Sequence, residues 1–214
     1  MANPLPKKRK VTSGPIREKA RTMEKLIKSV GRVLKKHGYP GLTVAKIAAE
    51  SKLDRKLVYA YFGTLDNLIE TYITGRDYWK GKAQNHIHAL LHQDKISNEE
   101  MIDLLNGQFN AVLNDQTLQR ILQWEISEPT VALKKTAADR ELIGEELIQK
   151  LEQNINTDDL DVRAILAIQS AGLYYLALHA KANGSTFCGI DVNQEIGKQR
   201  IENALAKLLN FKRI

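Results

Sequence analysis

The stretch "SKLDRKLVYAYF" (51–62) places Arg55 and Lys56 directly ahead of Tyr59, Tyr61 and Phe62. Guanidinium, ammonium and phenol groups side by side suit a polyanion: the bases neutralise phosphates and a hydroxyl donates to their oxygens. Helical spacing sorts the segment. Leu53, Val58, Tyr61 and Phe62 recur at core-facing intervals, whereas Arg55 and Tyr59, four residues apart, share the other face with Lys56 beside them. A second group, "HIHALLH" (86–92), sets His88 and His92 four apart on one helical face with His86 nearby, a spacing compatible with a divalent metal. No glutamate follows the first histidine in the hydrolase pattern and no cysteine lies close, so exposed or capping histidines are the competing account.

No Walker motif, nucleotide-binding glycine pattern or Gly-x-Ser-x-Gly elbow occurs, so neither an enzyme nor a bound cofactor has positive support. Charge favours binding instead. Residues 1–63 hold 16 Lys and Arg against 4 Asp and Glu, while residues 64–214 hold 16 against 21. A basic first third on a mildly acidic body reads as a polyanion-binding head on a regulatory or assembly domain. The lone Cys188 has no intramolecular partner, which suits a reducing compartment. The N-terminus "MANPLPKKRKVTSGP" lacks the apolar run of a secretory signal. The most apolar stretch, "AILAIQSAGLYYLALHA" (164–180), is interrupted by Gln169 and Ser170, and a buried helix explains it better than a membrane span. The expected location is the cytoplasm.

The elements that must position these residues are helices. Residues 1–15 read as a flexible basic arm. Leu26, Ile27, Val30, Val33 and Leu34 then form one stripe of a helix that Gly38 and Pro40 stop. Two short helices follow, joined by a tight turn around Ser51 to Leu53, with Thr43 and Asp54 as N-caps and Val44, Ile47 and Ala48 facing inward. Thr64 caps a fourth helix expected to run through Leu65, Leu68, Ile69, Tyr72, Ile73 and Trp79. Further helices are expected near 84–93, 97–113, 116–127, 131–154, 159–182 and 192–210, with a capping box at Ser97 and Glu100 and a loop at 183–185. The fold class is all-α, divided into the arm (1–15), a head (16–63) and a helical body (64–214).

"KLIKSVGRVLKKHGYPG" (25–41) followed by "LTVAKIAAESKLDRKLVYAYFGTLDNLI" (42–69) resembles the tetracycline-repressor (TetR) family of transcription regulators. The resemblance covers roughly the first third of the chain. It implies a three-helix helix-turn-helix head and a C-terminal domain that dimerises and holds a small-molecule effector of unknown identity. Two positions depart from the family pattern: Lys52 stands in the turn where glycine is common, and Leu65 stands where a phosphate-contacting lysine is common.

On this reading the second helix of the pair enters the major groove of a double-stranded operator. Arg55 and Lys56 are the candidates for base or near-base contacts, since a guanidinium pairs bidentately with guanine. Tyr59 and Tyr61 match family positions that touch DNA, and Tyr61 also has a core-facing reading. Leu57 either meets a thymine methyl or fills the small core of the head. Thr43 and Lys46 are candidate phosphate contacts. Specific binding then calls for a homodimer on a palindrome, with half-sites about 34–36 Å apart. Its expected interface is the 159–182 helix, with small residues Ala164, Ala167, Ala171 and Gly172, together with "EIGKQRIENALAKLLNF" (195–211). Phe109, Trp124, Glu125, Tyr175 and His179 are candidate lining of an effector pocket, against the plainer reading that each is core. The expected function is a repressor released by its effector. Two alternatives stand beside it: a metal-responsive regulator or metalloenzyme using His86, His88 and His92, and an engineered fusion in which "PKKRKV" (6–11) is an added nuclear-import signal rather than a native DNA-binding arm.

Overall fold

The computed structural model describes residues 15–128, 130–154 and 161–210, and among these the chain is all-α. In order the helices are α1 (Pro15–His37), α2 (Val44–Ser51), α3 (Lys56–Phe62), α4 (Leu65–Thr74), α5 (Gln84–Leu91), α6 (Asn98–Asn114), α7 (Gln116–Ser127), α8 (Val131–Glu152), α9 (Val162–Asn183) and α10 (Glu195–Leu209). A 3₁₀ turn spans Tyr39–Gly41 and a π-helical turn spans Tyr78–Lys82. The basic run at 6–11 lies outside the described residues. The helix expected after the arm already begins at Pro15, because a proline in the first turn sacrifices no intrahelical bond.

The chain divides into two compact units, Met1–Tyr72 and Ile73–Ile214. The division falls inside α4, not in the turn at Gly63 before it. The reason is that Leu68, Ile69 and Tyr72 of α4 are buried, and Tyr72 lies over α1 at Gly31, where an added Cβ would sit 2.5 Å from the phenol oxygen. The core of the head further comprises Leu26, Val30, Val33 and Leu34 of α1, Ile47 and Ala48 of α2, and Val58 and Phe62 of α3. Burial of each large apolar side chain contributes roughly 1.5–3 kcal/mol before the entropy of ordering is set against it.

Caps fix where these short helices start. Thr43 Oγ1 accepts from the Lys46 amide at 3.2 Å, Asp54 Oδ1 from the Lys56 amide at 2.8 Å, and Thr64 Oγ1 from the Asn67 amide at 3.1 Å. An ion-pair fork then ties α1 to α2: Arg32 Nε and Lys36 Nζ reach the two oxygens of Glu50 at 2.7 and 2.8 Å.

In the second unit α6 is central, packing against α7, α9 and α10. Leu104 and Phe109 of α6 meet Leu118 and Leu122 of α7, Leu166, Leu173 and Ala177 of α9, and Leu205 and Leu209 of α10 in one core. The capping box is present: Ser97 Oγ accepts from the Glu100 amide, and Glu100 Oε2 accepts from the Ser97 amide. α4 stops at Thr74 instead of running on through Trp79. The chain turns at Gly75 and Arg76, and Asp77, in an extended conformation, accepts from the amides of Trp79 and Lys80 to start the π-helical turn. α10 starts at Glu195, after a turn in which Asp191 accepts from the Asn193 and Gln194 amides.

Hydrogen bonds from Lys36 and Arg32 hold the Glu50 carboxyl below its usual pKa of 4.5. A carboxylate depressed in the folded state stabilises the fold fully above its unfolded pKa, and that contribution is lost as pH falls through the depressed value. Glu50→Ala is therefore expected to lower the melting temperature at pH 7, with the gap to the parent closing as the carboxylates protonate. Circular-dichroism melts across that range provide the check.

Candidate nucleic-acid interface and C-terminal cavity

The turn between α2 and α3 sets the geometry of the head. Lys52 caps α2 in the left-handed region, at φ 58° and ψ 39°, and the amides of Lys52 and Leu53 bond back to the carbonyls of Ala49 and Ala48. A lysine therefore adopts the conformation that glycine supplies at no steric cost. Asp54 then starts α3 with Val58 and Phe62 buried. Arg55, Lys56 and Tyr59 are exposed, Tyr59 to 56%.

Of the residues singled out from the sequence, Thr43, Lys46, Arg55, Lys56 and Tyr59 all stand exposed on α2, α3 or their caps. Leu57 is half-buried, between its two readings. Tyr61 is also half-buried, and the Lys19 ammonium of α1 sits 5.5 Å from its ring centroid. Sequence reading took Lys52 only as a turn position, whereas it joins Arg55 and Lys56 around a shallow concavity floored by Ala45, Ala48 and Ala49. The basic excess of the head was a signal for it, but nothing in the sequence distinguished it from Arg32 and Lys36, which the Glu50 fork engages internally.

The second unit holds a cavity of about 470 Å³ between α6, α7, α8, α9 and the π-helical turn. Trp79 and Tyr174 form its aromatic wall, with Leu105, Leu147 and Leu166 as apolar lining. At one end Arg140 bridges two acids: its Nε lies 3.0 Å from Asp77 Oδ2, and it also pairs with Glu125. Burial works against the Arg140 charge, but Asp77 and Glu125 outweigh it and raise its pKa above the ordinary value. Burial likewise pushes the Tyr174 phenol up. At the other end Arg163 pairs with Glu145 at 2.6 Å and Glu152 at 2.8 Å.

The five pocket candidates do not come together. Glu125 lines the cavity, whereas Phe109 and Trp124 are buried and absent from its wall. Tyr175 and His179 instead join Phe187 in an aromatic trio, with ring centroids 5.2–5.7 Å apart. Trp79, Gln108, Arg140 and Tyr174 were missed, because their convergence depends on helix packing that periodicity does not reveal. The metal reading gains no support: among the described residues no group of three or more His, Cys, Asp or Glu could hold a metal ion. The His92 Nδ1 lies 2.8 Å from the His88 carbonyl, and the two rings stack at 4.1 Å.

The head geometry agrees with a direct match. The sequence model described as "Bacterial regulatory proteins, tetR family" matches residues 22–72, which take in most of α1 and all of α2, α3 and the head portion of α4. The head, residues 22–72, is of the TetR family. No curated protein matches it in sequence. Among solved structures, a TetR-like architecture recurs in the fatty acid degradation regulator FadR from Bacillus halodurans, at 18% identity and TM-score 0.63, covering 89% of this chain and 99% of that one. The transcriptional regulator FadR from Bacillus subtilis, in complex with stearoyl-CoA, aligns at 16% identity and TM-score 0.59, covering 87% and 96%. The multidrug binding protein EbrR, complexed with imidazole, aligns at 17% identity and TM-score 0.55, covering 89% and 96%. At these identities the likeness establishes the fold.

Two substitutions probe the two units separately. Lys52→Gly removes the left-handed cost and adds flexibility to the unfolded chain, so a net gain of up to about 1 kcal/mol is expected in denaturant titration. Arg140→Met strips a buried carboxylate of its counter-ion and is expected to cost about 3–5 kcal/mol in the same measurement.

Proposed function

We propose that the chain is a homodimeric repressor that binds a palindromic double-stranded operator through α3 and is released by a small molecule held in the C-terminal cavity. One observation carries the DNA-binding half: α3 buries Val58 and Phe62 while presenting Arg55, Lys56 and Tyr59 together at its exposed face. In that pose Arg55 and Lys56 reach base edges, Thr43, Lys46 and Tyr59 contact phosphates, and Leu57 and Tyr61 brace the helix from its flank. The activity is binding, not catalysis, and the site of action is the bacterial cytoplasm. No helix among the described residues is long and apolar enough to cross a membrane.

The dimer reading rests on α9. Ala164, Ile168, Ala171 and Tyr175 recur at alternating four- and three-residue intervals and are all exposed, Ile168 to 74%. A continuous apolar stripe with small residues matches a helix–helix seam, and α10 adds exposed Ile196 and Leu208. A ligand that binds better to the conformer with misplaced heads lowers operator affinity by its differential binding energy. The FadR and EbrR neighbours bring two contrasting ligand chemistries to this cavity as candidates, an acyl thioester and a nitrogen heterocycle.

The test begins with a duplex selected by the protein from a random pool. Arg55→Ala is expected to cost about 1–3 kcal/mol of specific affinity as a lost base contact, and Tyr59→Ala to weaken binding across sequences as a lost phosphate contact, while sedimentation still shows a dimer. Unchanged affinity in both variants by fluorescence anisotropy would contradict the placement of α3 in the groove.

A further inference from the structure

We infer that the C-terminal cavity selects a cationic amphiphile, an apolar body carrying a protonated nitrogen, over a fatty acid or acyl thioester. This deepens the effector reading above and rests on it. The charge balance around the cavity is the first observation. Arg140 and Arg163 are its two guanidiniums, and each is already held by two acids, Asp77 and Glu125 for one and Glu145 and Glu152 for the other. Glu141 adds a further carboxylate to the lining. Of these acids Glu125, Glu141 and Glu145 line the cavity itself, three against two bases. An incoming carboxylate or phosphate would have to displace an acid from a guanidinium, at Arg140 in a partly desolvated setting, whereas a cation meets the surplus carboxylate.

The second observation is independent of the first. Gln108, which lines the cavity from α6, is only 1% exposed, and its Oε1 accepts no hydrogen bond. A buried carbonyl oxygen without a donor is costly unless a ligand supplies one, and a protonated amine is a strong donor. The third is the wall. Trp79 and Tyr174 present aromatic surface beside the apolar lining, and ring faces attract cations and repel anions. An N–H donor, positive charge and an apolar body are thus what the lining complements. Its volume of about 470 Å³ fits one drug-sized molecule.

The test uses the full-length protein and three probes that share one chain: protonated decylamine, decanol and decanoate, each below its aggregation threshold. Titration calorimetry, with intrinsic tryptophan fluorescence as a second readout, is expected to rank decylamine at least about tenfold tighter than decanoate. Gln108→Leu is expected to weaken decylamine about tenfold and decanol, a neutral donor, by less. Glu141→Gln, at an exposed position, supplies a milder loss of the same sign should Gln108→Leu fail to fold. Decanoate binding as tightly as decylamine, or no probe binding at all, overturns the inference. Operator anisotropy separates it from the reading it rests on. If decanoate binds and releases DNA, ligand-responsive repression stands and the charge assignment falls. If decylamine binds without changing operator affinity, the charge assignment stands and effector release falls.

Discussion

The head depends on one constraint: α3 has only seven residues and must face two ways. Val58 and Phe62 anchor it in the core, and the same rotation turns Arg55 and Tyr59 outward. So short a helix has little stability of its own, so its orientation is inherited from the turn before it. That turn forces Lys52 into the left-handed region, and Asp54 then accepts the first orphan amide. A shift of one residue here would rotate α3 by about 100° and bury the bases that now face out. The strain at Lys52 is thus part of what aims the helix.

Charge in the head divides into two populations. Arg32 and Lys36 converge on Glu50 and fasten α1 to α2. Lys46, Lys52, Arg55 and Lys56 stay exposed on α2, α3 and the turn between them. Both populations contribute to a basic composition, yet of the two only the second lies on α2, α3 and the turn between them. The Glu50 fork serves the second group indirectly, because holding α2 fixes the platform from which α3 departs.

Much of this was legible in the sequence. Thr43, Asp54 and Thr64 announce helix starts because capping is local chemistry, readable within three residues. Ser97 with Glu100 is legible for the same reason. Val58 and Phe62 are legible because helical period sorts core from surface. Trp79 was misread as a continuation of α4, since its apolar spacing fits a helix while Gly75 and Asp77 break the chain just before it. The cavity was scarcely legible at all. Glu125 was singled out correctly, but Trp79, Gln108, Arg140 and Tyr174 come from four separate elements, and no one-dimensional pattern records that they converge. Tyr175 and His179 carry a related lesson: aromatics at helical spacing lie on a helix face, yet here that face points away from the cavity and toward Phe187.

The cavity shows why counting residue types is a poor guide to ligand charge. Two arginines beside apolar and aromatic lining suggest an acid-binding pocket, and an acyl-carrying neighbour encourages that view. What matters is whether a guanidinium's charge is already balanced. Arg140 lies deep, and its charge is stabilised there only because Asp77 and Glu125 outweigh the loss of hydration. Asp77 in turn is fixed by its cap on the π-helical turn, which carries Trp79 into the wall. Asp77 therefore cannot retreat without unmaking that turn, and a negatively charged ligand would have to compete with a group the fold itself holds in place. Gln108 carries no such obligation: its oxygen is buried and unoccupied. Selectivity thus follows from which charges the architecture has already paired and from the buried Gln108 oxygen, which accepts a hydrogen.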